Sequence, residues 1–146
     1  MNTRLGLIMV AALVSVVPAL TVGTGPAHAT NDCNFIFSTN RPDVRSPEIT
    51  GRGLAGCDVP PDSHEVQLAL EYQQGSRWVV ASVKTDSTVP PTFRSGGRRY
   101  EVSAACYSGT WRLAVAIRGT IQGHQFHFED HSGTVDVPAS TCHPRF

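Results

Sequence analysis

The sequence predicts an all-β protein whose antiparallel strands pack as two facing sheets, and three observations lead there. Apolar and polar residues alternate with a period of two in several separate stretches. Turns rich in glycine, proline and serine divide those stretches at regular intervals. Between Thr30 and Phe146, no run of ten residues free of Gly and Pro carries an apolar stripe at the helical period.

The first element is not part of that domain. Arg4 precedes the apolar run Leu5–Val17, Pro18 ends it, and Ala27-His28-Ala29 closes the segment with small residues. These are the basic, apolar and small-x-small regions of a secretory signal, so residues 1–29 are expected to be removed after Ala29. The alternative is a retained membrane anchor, which would want about 20 unbroken apolar residues, whereas Pro18 interrupts the run. The mature chain is then 30–146, 117 residues, enough for a single domain with one modest core.

Strands follow in order. Phe35 and Phe37 mark one over Asn34–Ser38, and Glu48–Cys57 is a second, loosened by Gly51, Gly53 and Gly56. In Glu65–Tyr72, Val66, Leu68, Leu70 and Tyr72 share one face while Glu65, Gln67 and Glu71 share the other, as in a half-buried strand. Gln73-Gln-Gly-Ser76 is a hairpin turn into Arg77–Thr85. Pro90-Pro91 interrupts regular structure, as Pro60-Pro61 does earlier. Tyr100, Val102, Ala104 and Cys106 alternate in Arg99–Cys106, and Trp111, Leu113, Val115 and Ile117 alternate in Thr110–Arg118 with Arg112 and Arg118 facing water. A last strand is expected over 124–137, broken near Asp130. Seven or eight short strands in about 100 residues suit an immunoglobulin-like or fibronectin-III-like sandwich.

All four cysteines lie in the mature part, and none is paired with another at C-x-x-C spacing, so two disulfides are expected rather than a structural zinc site. If successive strands reverse direction, the first begins where the second ends. The fifth likewise ends where the last ends. This places Cys33 by Cys57 and Cys106 by Cys142, and that pairing is preferred to the other two connectivities.

Twelve basic residues meet twelve acidic ones, and loss of Arg4 with the leader leaves the mature chain with a slight acidic excess. Nucleic acid and anionic membranes favour the opposite balance, so neither is expected as a partner.

One cluster has the residue types for metal chemistry. In a continuous strand His127, Glu129 and His131 share a face, but residues two apart stand about 7 Å from each other, too far for a common ion unless the backbone bends. The alternative is a polar outer face with Phe126 and Phe128 in the core. Nucleophilic catalysis lacks its motifs: there is no Gly-x-Ser-x-Gly, and the cysteines are taken up in disulfides. Glu65, Glu71 and Glu101 sit at outward positions, where solvated charge is the ordinary state. No catalytic residue and no cofactor are therefore expected. Trp111 reads as a core anchor. Trp78 has two readings, half-buried packing or, with Arg77, Arg94, Arg98 and Arg99, an exposed aromatic and arginine surface of the kind enriched at interfaces.

The opening Cys33-x-Phe-x-Phe, Gly56-Cys57 before an alternating strand, the hairpin Gly75-Ser-Arg-Trp78, the segment Cys106-Tyr-Ser-Gly-Thr-Trp-Arg112 and the closing Cys142 resemble small secreted actinobacterial β-sandwich proteins of unassigned function. That resemblance implies fold and compartment and carries no substrate. Gly56-Cys57 followed by a strand ending Glu71-Tyr72 is also similar in style to tendamistat-type α-amylase inhibitors. Their Trp-Arg-Tyr triplet between the first two cysteines has no counterpart here, since Cys33–Cys57 contains no Trp and Trp111-Arg112-Leu113 lies elsewhere without the Tyr. The expected function is an extracellular, monomeric, non-enzymatic domain that binds a protein or glycan partner. One alternative is an inhibitor of a secreted hydrolase that inserts the Asp86–Pro91 loop, stiffened by Val89-Pro-Pro91. The other is a metal-binding protein using the His124–His131 segment.

Overall fold

The computed structural model describes residues 33–142, and the leader expected over 1–29 lies outside them. Among the described residues nine strands form: β1 (Cys33–Phe37), β2 (Asp43–Arg45), β3 (Glu48–Cys57), β4 (Ser63–Gln74), β5 (Arg77–Asp86), β6 (Arg98–Ala105), β7 (Gly109–Ile121), β8 (His124–His131) and β9 (Val135–Val137). The only helical pieces among the described residues are a 3-10 turn at Phe93–Ser95 and a single α turn at Ala139–Cys142.

Every strand pairing is antiparallel. In the first sheet β3 is central: β6 runs along one side of it, while β1 and then β2 occupy the other, β1 against Gly53–Cys57 and β2 against Glu48–Thr50. The second sheet has the order β5-β4-β7, with β8 and β9 sharing the far side of β7. Counted as lines of strand, three face four. The result is an all-β sandwich, as the alternation predicts.

Period-two patterning builds the core directly. Val66, Leu68 and Leu70 from β4, Trp111, Leu113, Val115 and Ile117 from β7, and Ile49, Ala55, Tyr100 and Val102 from the opposite sheet are buried together. Phe126 and Phe128 pack against this core, half-buried, from β8. Gly51 sets the approach of the two sheets, because a Cβ there would run into the Leu113 side chain. Trp111 is fully buried and donates its indole N–H to the Tyr107 carbonyl at 3.1 Å, so the expected anchor also has its polar atom satisfied.

Both disulfides are those predicted, Cys33–Cys57 and Cys106–Cys142, and they clamp opposite ends of the sandwich. Cys33 and Cys57 face each other directly across β1 and β3. In the chain-entropy picture, loops of 24 and 36 residues are each worth about 3–4 kcal/mol.

Two departures from the sequence reading are local. Strand β2 was not expected, being three residues held between Pro42 and Pro47. The break in the final strand falls at Ser132–Thr134, just after Asp130. There the β8/β9 line holds one residue more than β7 between the Ala114/His131 and Trp111/Val135 pairs, a bulge. The buried Ser132 fills the gap, since its Oγ accepts the Leu113 N–H at 2.9 Å and donates to the Gly133 carbonyl at 2.8 Å.

Candidate functional site: a groove across the five-strand sheet

The inward set of β4 and β7 leaves Ala69, Ala114 and Ala116 on the outer face of the second sheet, on two adjacent strands. Small side chains at neighbouring positions make a hollow. Taller residues rim it: Val80 and Val83 on β5, Glu129 and His131 on β8, and Gln67, Glu71 and Arg112 along its length. The groove encloses about 560 Å³ and runs on into a recess of about 130 Å³ lined by Glu65, Arg118 and His127.

The apolar rim depends on a bulge. Val80 and Val83 are three residues apart, so in a regular strand they would point to opposite faces. The β4–β5 register slips between Leu70 and Glu71, pairing Val80 with Glu71 and Val83 with Ala69, which turns both valines outward. They are 52% and 56% exposed, among the most exposed large apolar residues of the described chain, and they sit on an edge strand.

Each end of the groove carries an ion pair. At one end Arg112 Nε donates to Glu71 at 2.7 Å, and its guanidinium lies 4.2 Å over the Trp78 ring. Trp78 is therefore half-buried beneath a cation rather than open as a stacking platform. At the other end Arg118 meets Glu65 at 2.5 Å. The carboxylates at the two ends are thus held by arginines, an arrangement suited to recognition of a partner's polar groups beside its apolar ones.

The residues singled out from the sequence fall in three places. His127 and Glu129 do come together, Nε2 to Oε1 at 3.2 Å, on the exposed face of β8. His131 lies on the same outer face, opposite Ala114, but its Nδ1 donates to the Ser132 carbonyl at 3.2 Å and it does not join the other two in a three-ligand group. Among the described residues the one group of three metal-ligand side chains within 4.8 Å of one another is Cys33, Cys57 and His64. The expected arginine surface is divided. Trp78 and Arg77 begin β5, whereas Arg98 pairs with Asp86 at its far end at 3.0 Å, a strand length of about 26 Å away. Arg99 lies across from Leu54 on the outer face of the other sheet, and Arg94 sits in the 3-10 turn. The sequence could not reveal that β5 and β6 belong to different sheets, which is what separates these residues.

Asp86 anchors the following loop. Its Oδ1 accepts the Thr88 hydroxyl at 2.7 Å and the Thr88 N–H at 3.0 Å, and these bonds, helped by Arg98, hold its carboxyl down at about 2. Burial pushes the nearby Tyr100 phenol up to about 12, with the Asp86 charge adding to it. Pro90 is buried, while Val89 stands 41% exposed at the tip.

Two features escaped the sequence reading. His64 is only 3% exposed, and neither ring nitrogen has a hydrogen-bond partner; burial pushes its pKa down. Extending the alternation of Val66 and Leu68 back by one step would have placed it inward. The alanine floor was visible as outward-facing alanines on two strands, yet alanine carries no chemistry that draws notice. No protein-family model, curated protein or solved structure matches this chain.

Proposed function

We propose that this chain is an exported, non-enzymatic binding domain of immunoglobulin-like or fibronectin-III-like kind, and that it engages an extracellular protein through the outer face of its five-strand sheet. The observation that carries this reading is the bulge that turns Val80 and Val83 outward beside the alanine floor. A bulge that exposes two large apolar side chains on an edge strand costs solubility unless something covers them. Apolar contacts ringed by ion pairs match the core-and-rim composition of protein interfaces. A glycan would call for an open aromatic face, and Trp78 is covered by Arg112. The leader-like first 29 residues and the two disulfides support export.

The test is a comparison of retained proteins. Immobilised wild type, Val83→Arg, Ala116→Arg and, as a control on the other sheet, Arg99→Ala are exposed to the exported proteins of the producing cell and to a polysaccharide array. A protein held by wild type and Arg99→Ala but released by both groove variants supports the reading. Retention that survives Val83→Arg and Ala116→Arg, or binding of glycans alone, overturns it.

A second reading has one observation in its favour. The loop after β5 is pinned by Asp86, Thr88 and buried Pro90 with Val89 presented at its tip, the pre-organisation an inhibitory loop needs. Inhibition of a secreted hydrolase that is lost in Val89→Asp would move the binding site from the groove to this loop.

A further inference from the structure

Among the described residues His64 alone is a histidine buried against sulfur. It lies on β4 of the five-strand sheet, while Cys33 and Cys57 close the end of the other sheet, and the three sets of ligand atoms lie within 4.8 Å of one another. The surroundings are apolar, with Ile121 and Phe126 packed on the cysteines and the Phe126 ring 6.4 Å from the imidazole. In the oxidised protein both imidazole nitrogens are buried without partners, a state that packing alone does not require.

We infer that before its disulfide forms, this end of the chain is a zinc site made by Cys33, Cys57 and His64, and that the metal performs the stapling later taken over by sulfur. Three arguments carry it. The first is distance: a tetrahedral zinc spaces its ligand atoms about 3.5–3.8 Å apart, and the ligand atoms of these three side chains already lie within 4.8 Å of one another. The second is charge. Two thiolates, one neutral imidazole and Zn²⁺ sum to zero, so the complex can be buried without leaving an uncompensated ion. Zinc takes an imidazole in its neutral form, through one ring lone pair. The third is reach: the metal would bridge the two sheets, whereas the disulfide joins only β1 to β3. A cleft lined by His64, Ser87, Val89, Gly119 and Phe126 gives an ion and a fourth, exogenous ligand a way in.

The chemistry balances. In the reduced chain both cysteines are thiols, and binding of Zn²⁺ releases their two protons to solvent. Oxidation by a disulfide-bearing oxidoreductase moves two electrons from the two cysteine sulfurs to the acceptor disulfide, which takes up two protons from solvent and becomes a dithiol. The Cys33–Cys57 bond forms and Zn²⁺ leaves.

The experiment uses the chain from Thr30 onward in a Cys106→Ser/Cys142→Ser background, so that Cys33 and Cys57 are the only sulfurs in play. A phosphine reduces the bond anaerobically, taking up the oxygen of water as phosphine oxide and leaving two thiols. Co²⁺ is then titrated, followed by Zn²⁺. The expected result is one Co²⁺ per chain with thiolate charge-transfer and tetrahedral ligand-field bands, displaced by one equivalent of zinc. His64→Phe should weaken the metal at least about tenfold, and Cys33→Ser should remove the thiolate bands of the two-sulfur site. Circular dichroism covers the case in which the reduced chain is unfolded: zinc should restore the sheet signal in the His64 chain and fail to do so in His64→Phe. Absence of thiolate–cobalt bands, equal affinity in His64→Phe, or a reduced chain that zinc does not refold overturns the proposal.

Discussion

Arg112 lies over Trp78, its guanidinium 4.2 Å from the ring centre, while its Nε donates to Glu71 at 2.7 Å. One cation thereby joins β5, β4 and β7 on a single face, and the side chains of the ion pair are largely shielded, 19% and 16% exposed. Arg112→Ala is expected to lower unfolding free energy by about 1–2 kcal/mol in chemical denaturation and to red-shift Trp78 emission. Arg112→Lys should recover little of that, because a point charge cannot both stack and donate in the same plane. Unchanged stability in both variants would show that the three groups act independently.

Gly51 and Leu113 meet across the sandwich. A methyl group at position 51 would enter the Leu113 side chain, so Gly51→Ala is expected to cost about 1–3 kcal/mol through overpacking. The double variant Gly51→Ala/Leu113→Val should regain part of the loss, measured by urea unfolding.

Burial pushes the His64 pKa down, so the folded protein holds the ring neutral where the unfolded chain protonates it. Below about pH 6.5 the unfolded state therefore binds more protons, and stability falls as pH falls, by at most about 1.4 kcal/mol per pH unit from this group. His64→Phe should be more stable than wild type at pH 5 and closer to it at pH 8. Parallel stability curves for the two proteins would contradict this.

Asp86 behaves in the opposite sense, as a carboxylate held at about 2 by Thr88 and helped by Arg98. Its contribution is complete above about pH 4, the ordinary carboxylate range, and is lost as pH falls toward 2. Asp86→Asn should be less stable than wild type at pH 6, and the gap should close by pH 2. It should also raise amide exchange at Thr88, whose N–H bonds to Asp86.

Strands were legible where alternation was long. The limits of β3 agree with the sequence reading despite its three glycines, because Ile49, Ala55 and Cys57 keep the period. The disulfide pairing followed from strand direction alone. Strand β2 was not legible, since three residues between two prolines carry no period. The groove was half legible. Outward parity for Ala69, Ala114 and Ala116 was there to read, but the outward turn of Val83 comes from a register slip between two strands, which no single strand records. The arginine surface is divided for a related reason: Arg77 and Trp78 lie on β5, Arg98 and Arg99 on β6, and the fold deals these two strands to different sheets.

The groove account is tested most directly by where a partner touches. A photo-crosslinking residue is placed at Val83 in the groove rim, at Ile36 on the edge strand of the other sheet, and at Val89 on the loop, each exposed enough to accept it. After irradiation with the producing cell's exported proteins, the account predicts one covalent protein adduct from Val83, lost when Ala116→Arg is added, with none from Ile36 or Val89. Adducts from Ile36 or Val89 with none from Val83 would contradict it.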